Sequence, residues 1–439
     1  MARVLILMST RTYKAEAFLA AAARMAVEVV VGSNRAQALS HLNPAGNLAL
    51  PFDDPEAAVA EVRRFAARYA IDAALAADDD AAPLAAAVGE ALGLAHHPRQ
   101  AVRTTTDKLA TRLALHAAGL PAPEIWSARL DEPAASLAKR VAYPCVLKPR
   151  FLSGSRGVIR ADGEAEFVRA HARLLAILGA AESTADHQTV RPGHDVLVES
   201  FVAGPEVALE GLLDRGSFRS LALFDKPDPL DGPFFEETIY VTPSRLPPAT
   251  QEQVLETARR AVAAFGLYHG AVHAELRVSP AVAWLLEAAP RSIGGLCSRA
   301  LAFGDGTVRL EELLIRNALG QATRHLRREA PAAGVMMIPI PRAGILKAVG
   351  GVDAARAVPG VDEVRVTIAP GQTVAPPPEG SRYLGFIFAR ATRPEDVEEA
   401  LRAGHANLQI EIEPVGGAAS EAGTPRALRR ARNSKETER

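Results

Sequence analysis

Cysteine is nearly absent from this chain of 439 residues, which has only Cys145 and Cys297. Two thiols cannot build a disulfide scaffold or a cysteine-ligated zinc site, so a reducing compartment, the cytoplasm, is the expectation. Net charge is nearly absent too. Fifty basic residues face 51 acidic ones, and no global field argues for nucleic acid or a membrane surface. The apolar run in the opening MARVLILMST is too short for a signal peptide or a membrane span. No internal repeat is evident. What the chain does have is ordinary folded-protein composition, 48% hydrophobic and 23% charged, and a length that suggests roughly two to four domains.

The glycine fingerprint of a dinucleotide site is also missing. Val4–Met8, Val27–Val31 and Ile71–Ala77 read as buried parallel strands. They alternate with helices over Ala15–Met25, Glu56–Tyr69 and Asp80–Leu92, the last closed by Gly93. This pattern describes a small doubly wound sheet over roughly residues 1–100. Its first strand runs into Ser9–Lys14, without the glycines that let a backbone approach a pyrophosphate, which excludes an ordinary nicotinamide site. Asp78, Asp79 and Asp80 follow the third strand, either as acids facing a ligand or as the N-cap of the next helix.

Thr106–Leu120 is predicted as a helix with Asp107 and Lys108 in its first turn, and Tyr143–Pro149 as a strand that includes Lys148. The loop Ser153-Gly154-Ser155-Arg156-Gly157 follows and returns through Val158–Arg160. Its glycines suit backbone amides lying against phosphate oxygens, although a plain hairpin turn needs the same glycines. Glu164–Leu178 reads as a helix and Ser183–His194 as a loop. Asp195–Phe201, Val207–Leu213, Leu221–Phe224 and Phe235–Val241 read as strands, and Gln251–Phe265 as an amphipathic packing helix. Beyond residue 301, Leu310–Leu319 is a helix, Gln321–Pro331 a polar linker, and Gly334–Pro341, Val361–Ile368 and Tyr383–Arg390 are strands. Pro394–Gly404 is a helix, and the polar, basic tail from Gly416 reads as disordered.

Ala271–Leu301 gathers the most chemistry. Strands Ala271–Ser279 and Ala283–Ala288 each bring one carboxylate, Glu275 and Glu287, and Pro290, Arg291, Gly294 and Gly295 follow at once. Alternation places His273, Glu275 and Arg277 on one face. Like charges about 4 Å apart repel by about 4 kcal/mol at an effective dielectric of about 20, so side-by-side acids want a cation between them or a basic residue beside them. Alone, ion pairs to Arg277 and Arg291 explain the two acids better than a metal does. His273 reads as a packed strand histidine, Glu210 as a strand acid that lines a site or meets solvent, and Cys297 as a small core filler.

In order, the chain carries Asp107-Lys108, Lys148 with the glycine loop, Glu199-Ser200-Phe201-Val202, Gly204-Pro205-Glu206, His273-Ala274-Glu275, and Glu287 running to Arg291. This ordered set resembles the ATP-grasp superfamily of carboxylate–amine ligases over roughly residues 1–330. Phe235–Ser244, the Arg291–Gly295 turn and the C-terminal segment are most similar to bacterial L-amino acid ligases, which form dipeptides. The resemblance implies an α/β and α+β multidomain fold. A doubly wound, Rossmann-like pre-ATP-grasp domain would occupy 1–102, and an ATP-grasp domain 103–330, with a small lobe at about 120–200 and a large lobe at about 201–330. A ligase-associated α+β domain would occupy 331–415 and a disordered basic tail 416–439.

The resemblance also implies roles. Lys108 and Lys148 would bind ATP phosphates beneath a flap that includes Ser153, Gly154, Ser155 and Gly157. Glu199, Phe201 and Val202 fall at the adenine hinge, and Glu206 at the ribose hydroxyls. Glu275 and Glu287 take the place of the Mg2+ ligands, with Mn2+ as an alternative ion, and the ordered set shifts the balance from ion pairs to metal. Arg291 stands over the transferred phosphoryl group, Glu237 matches a substrate-side acid, and Arg291 or the Gly294 and Gly295 amides would stabilise a tetrahedral oxyanion. Ala289 departs from the family, which usually has asparagine there, so a second Mg2+ is in question. Tyr240 stands where dipeptide ligases tend to have histidine, so substrate identity does not carry over. The implied reaction is ATP-dependent amide formation through an acylphosphate, with ADP and phosphate released. A carboxylase or purine-pathway-type ATP-grasp enzyme and a non-catalytic ATP-binding module are the alternatives. The implied partners are small molecules, an amino acid carboxylate and an amine, with no nucleic acid and no membrane. A homodimer is an allowed assembly.

Overall fold

The computed structural model describes residues 1–10, 12–36, 43, 45–129, 131–183 and 195–414. The loop expected over Ser183–His194, from residue 184 on, and the tail over 416–439 lie outside these residues.

Strands covered on both faces need continuous apolar runs, and the N-terminal segment supplies them. Strands β1 (Arg3–Leu7), β2 (Glu28–Ser33), β3 (Asn47–Ala49) and β4 (Ala73–Ala76) form a parallel sheet ordered β3-β2-β1-β4. Helices α1 (Ala15–Arg24), α2 (Pro55–Ala66) and α3 (Ala82–Leu92) accompany it. Alternation along β1 sends Val4 and Ile6 into one core with Phe18, and Leu5 and Leu7 into another with Val62 and Leu84. Gly93 closes α3 in the left-handed conformation, as expected. The short edge strand β3 was not expected, because its Asn47-Leu48-Ala49 carries no apolar run.

Next come α4 (Arg99–Thr106), α5 (Lys108–Ala117), β5 (Ile125–Arg129), α6 (Ala134–Ala138), β6 (Cys145–Pro149), β7 (Ile159–Ala161), α7 (Glu164–Ser183) and β8 (Asp195–Ser200). The four strands form an antiparallel sheet ordered β5-β8-β6-β7. The helix predicted over Thr106–Leu120 begins instead at Lys108, because Asp107 is extended and its carboxylate accepts the Leu109 and Ala110 amides.

The larger lobe comprises β9 (Glu206–Asp214), β10 (Ser217–Lys226), β11 (Ile239–Thr242), α8 (Pro248–Phe265), β12 (Gly270–Val278), β13 (Ala283–Ala289), β14 (Ala302–Phe303), β15 (Val308–Arg309) and α9 (Leu310–Ala318). The C-terminal segment adds β16 (Ala332–Ile338), β17 (Gly344–Gly350), α10 (Val352–Arg356), β18 (Val361–Val366), β19 (Thr373–Val374), β20 (Gly385–Ala391), α11 (Pro394–Ala406) and β21 (Gln409–Glu413). One antiparallel sheet, β13-β12-β9-β10-β11-β16-β20-β18, runs through both. Strands β19, β17 and β21 make a second, smaller sheet. The strand predicted over Phe235–Val241 starts at Ile239, which leaves Glu236 and Glu237 on irregular backbone. No helix among the described residues is long and apolar enough to cross a membrane.

Gly334 marks the seam where the long sheet passes into the C-terminal segment, since it pairs with Val241 across β11 and β16. A Cβ there would lie 2.7 Å from Val397 Cγ1 and 2.8 Å from the Tyr240 carbonyl oxygen. The carbonyl belongs to a paired strand and cannot yield. Gly334→Ala is expected to destabilise the chain by about 1–3 kcal/mol, as overpacking does. A lower urea midpoint at unchanged m value checks this, and an unmoved midpoint would contradict it.

Candidate active site

Strand pairing sets Glu275 of β12 directly opposite Glu287 of β13, with a bulge just after Glu275. Neither acid pairs with the arginines beside it in sequence. Arg277 Nε is 3.1 Å from Glu206 Oε2, and Arg291 makes a two-pronged contact with Asp79 at 2.8 and 2.7 Å. Lysines stand beside the pair instead. Lys226 Nζ is 3.2 Å from Glu275 Oε1, and Lys108 Nζ is 3.9 Å from Glu287 Oε2.

Lys226 is buried at the end of β10, across from Glu206 of β9. Its ammonium is 2.7 Å from Glu206 Oε1 and also donates to Glu237. Burial opposes that charge, but Glu206, Glu237 and Glu275 outweigh it and raise the lysine well above its ordinary value. Burial likewise raises Glu275, but Lys226 and His273 overcome it and hold that carboxyl well below its usual range. Glu237 takes the opposite course. Burial and then the Glu275 charge push it up to about 7, against the pull of Lys226.

Carboxylate oxygens of Glu206, Glu237 and Glu275 lie within 4.8 Å of one another, a spacing that would suit an ion. The Lys226 ammonium already stands among them. Glu275 and Glu287, opposed and only partly buried, are the pair that fits Mg2+, which is usually held by one or two carboxylates plus substrate phosphates. Ala289, buried opposite His273, adds no donor.

The smaller lobe forms the facing wall. Lys148 Nζ donates to Glu199 Oε2 at 2.6 Å, and Arg112 Nε lies 2.8 Å from Glu199 Oε1. Burial would raise the Glu199 carboxyl, but Arg112 and Lys148 hold it at about 2. Its carboxylate is therefore occupied inside the protein by these two cations. Two guanidiniums lie over the Phe201 ring, Arg160 at 4.0 Å and Arg277 at 4.9 Å from its centroid. The Val202 carbonyl accepts from Arg277 at 2.7 Å, and both oxygens of Glu206 are engaged by Lys226 and Arg277. Lys108 Nζ donates to the Leu152 carbonyl at 2.6 Å, at the root of the glycine loop. In that loop Gly154, Ser155 and Gly157 all have φ between +55° and +73°. The loop docks on the C-terminal segment, where the Gly157 amide donates to the Pro378 carbonyl at 2.9 Å. Arg173 of α7 reinforces the contact with a fork to Glu379 at 2.6 and 2.9 Å.

The N-terminal sheet closes the third side. Asp79, after β4, holds Arg291, whose charge it sustains above the ordinary value despite burial. Lys14, before α1, is buried and donates to the Ala77 carbonyl at 2.8 Å and the Ser292 carbonyl at 3.1 Å. Gly294 has open space around it, whereas Gly295 has φ +56° and a Cβ there would be 3.0 Å from the Phe386 ring. Cys297 is buried in the core, and burial pushes its thiol up to about 12.

Sequence reasoning missed Lys226, Arg112 and Lys14. The sequence predicts a strand ending at Phe224, whereas β10 continues through Lys226 into the site. Leu221–Phe224 is a continuous apolar run with no alternation to carry forward, so its end gave no signal for Lys226. Arg112 and Lys14 carry no local signal, because their partners lie 87 and 278 residues away.

Residues 141–300 match the ATP-grasp domain family, and residues 336–413 match the family described as L-amino acid ligase C-terminal domain 2. The chain is similar to the uncharacterized protein y4rH of Sinorhizobium fredii, with 26% identity over 72% of this chain and 63% of that protein. It is similar to the alanine–anticapsin ligase of Bacillus amyloliquefaciens, with 28% identity over 55% of this chain and 53% of the ligase. It thus spans less than two thirds of the length of these curated relatives. The crystal structure of an L-amino acid ligase from Bacillus licheniformis superposes with a TM-score of 0.79 at 26% identity, covering 94% of this chain and 99% of that one.

Two outcomes follow from the charges. Glu199→Ala would strand the buried Arg112 guanidinium, and breaking a buried pair in this way is expected to cost about 3–5 kcal/mol in urea unfolding. A loss below about 1 kcal/mol would contradict that pairing. Glu237 titrates at about 7 in the folded chain against an ordinary 4.5, so its contribution to stability is present below the lower value and lost as pH rises through the higher. Glu237→Gln is therefore expected to raise Tm at about pH 8 and change it little at about pH 5. A lower Tm at the higher pH would contradict the assignment.

Proposed function

We propose that this chain, which belongs to the ATP-grasp superfamily and carries an L-amino acid ligase C-terminal domain, is an ATP-dependent ligase that joins an amino acid carboxylate to an amine. The observation that supports this most is the proximity of Glu275 opposite Glu287, Lys226, Lys108 and the Arg291 turn. Donors for a metal, cations for phosphates and a backbone turn for an oxyanion are what carboxylate activation requires.

ATP is the first substrate. Lys108 and Lys148 supply positive charge for its phosphates, and backbone of 199–202 would face its base. Mg2+ held by Glu275 and Glu287 with phosphate oxygens would offset charge that builds on the moving phosphoryl group. A carboxylate oxygen of the amino acid forms a bond to the γ-phosphorus as the bond to the bridging oxygen breaks, and that electron pair leaves with ADP. Arg291, held in place by Asp79, neutralises the phosphoryl oxygens. Glu237 would hold the ammonium of this substrate. The amine nitrogen then attacks the acyl carbon, and the Gly294 and Gly295 amides face the oxyanion that forms. The C–O bond to phosphate breaks, phosphate departs with one oxygen of the original carboxylate, and the amine proton is lost to the leaving phosphate. The Ser153–Gly157 loop, docked through Gly157 and Pro378, keeps water from the acylphosphate.

Incubation with ATP, Mg2+, amino acid pools and hydroxylamine tests this directly. ADP release that depends on an amino acid, together with the matching hydroxamate, is the expected result. Glu287→Gln and Arg291→Ala are each expected to lower turnover by about 100-fold or more. Release that depends on bicarbonate without hydroxamate would indicate a carboxylase instead. Tight ATP binding without turnover, unaltered in Glu287→Gln, would indicate a binding module.

A further inference from the structure

Glu210 is wholly buried on β9, directly across from His273 on β12. Its Oε2 accepts the Ile293 amide hydrogen at 2.9 Å and lies 3.3 Å from His273 Nδ1. The far edge of the ring, Nε2, is 3.5 Å from Glu275 Oε1, the same oxygen that faces Lys226. A single file therefore runs from the 291–295 turn, through Glu210 and His273, to Glu275, the carboxylate that fits the metal. The file is not closed by good hydrogen bonds. Among the described residues, His273 Nδ1 and Glu210 Oε1 have no hydrogen-bond partner, although both atoms are buried.

That arrangement is poor value as structure alone. A buried polar atom left without a partner costs about 1–3 kcal/mol, and apolar residues of similar volume commonly replace a buried ionic pair with no loss. The strands around the pair show that option taken, with Ala208, Leu209, Leu212, Val272, Ala274 and Leu276 all in the core. Unsatisfied groups kept in such a setting call for a functional account.

We propose that Glu210 and His273 are positioning residues. Glu210 holds the Ile293 amide and the imidazole, and the imidazole holds the Glu275 carboxylate toward the cleft, so the oxyanion turn and the metal donor keep one geometry. Lys14 fixes the neighbouring residue of the same turn from the N-terminal domain, through the Ser292 carbonyl and hydroxyl at 3.1 and 3.2 Å. The pair's role rests on the proposed ligase function. Groups that orient a metal's ligands typically contribute about 10–100-fold in metal affinity.

The test uses the full chain as wild type, His273→Asn and Glu210→Gln, with free Mn2+ followed by electron paramagnetic resonance in the presence of ADP. The apparent Mn2+ dissociation constant is expected to rise about tenfold or more in each variant. ADP binding without metal should be unchanged, and kcat should fall more than the KM for amino acid moves. The double variant should be little worse than either single one, since both break the same file. Circular dichroism separates this from unfolding, and if Glu210→Gln does not fold, His273→Asn decides alone. Wild-type Mn2+ affinity in folded variants, or a loss that only tracks the unfolded fraction, overturns the pair and leaves the ligase reading intact. Absence of Mn2+ binding by the wild type with ADP overturns both.

Discussion

A lysine ammonium buried among carboxylates sets the terms for everything around it. Lys226 is shared by Glu206, Glu237 and Glu275, and Arg277 takes the second oxygen of Glu206. Three carboxylates thus face Lys226 and Arg277 in a buried space, with His273 beside Glu275. Glu275 stays ionised and Glu237 absorbs the imbalance by holding its proton to about 7. A cation brought beside Glu237, such as a substrate ammonium, would favour loss of that proton. Lys226 also excludes the most obvious metal position, the space among its own three partners. That leaves the rim, where Glu275 and Glu287 oppose each other, as the position proposed for a metal.

The turn after β13 depends on three separate parts of the chain. The N-terminal sheet holds Arg291 and Ser292 through Asp79 and Lys14. The large lobe holds Ile293 through Glu210, and Phe386 of β20 packs against Gly295. The C-terminal segment is therefore structurally continuous with the site. It extends the same sheet as Glu275 and receives the glycine loop of the small lobe at Pro378.

Local patterning made much of this legible. The apolar strands of the N-terminal sheet, the helix closed by Gly93 and the opposed acids of β12 and β13 are all short-range signals. The ordered run from Lys108 to Arg291 pointed to the ATP-grasp and L-amino acid ligase families, which the domain matches bear out. What stayed hidden was partnership. Glu275 and Glu287 were expected to have Arg277 or Arg291 beside them if they lacked a metal, yet those arginines answer Glu206 and Asp79. Glu199 carries a family signal for a base-binding hinge, but its carboxylate faces inward to Arg112 and Lys148. His273 and Glu210 each look ordinary on their own strand. Only the register of β9 with β12 brings them face to face.

Carboxylate activation by phosphoryl transfer is the central claim, and oxygen tracing tests it most directly. An amino acid labelled with 18O in its carboxylate, supplied with ATP, Mg2+ and an amine, should yield inorganic phosphate containing one 18O for each amide formed. Amide formed with phosphate free of label would contradict an acylphosphate, and with it the roles of Arg291 and the Gly294–Gly295 turn in its formation and breakdown.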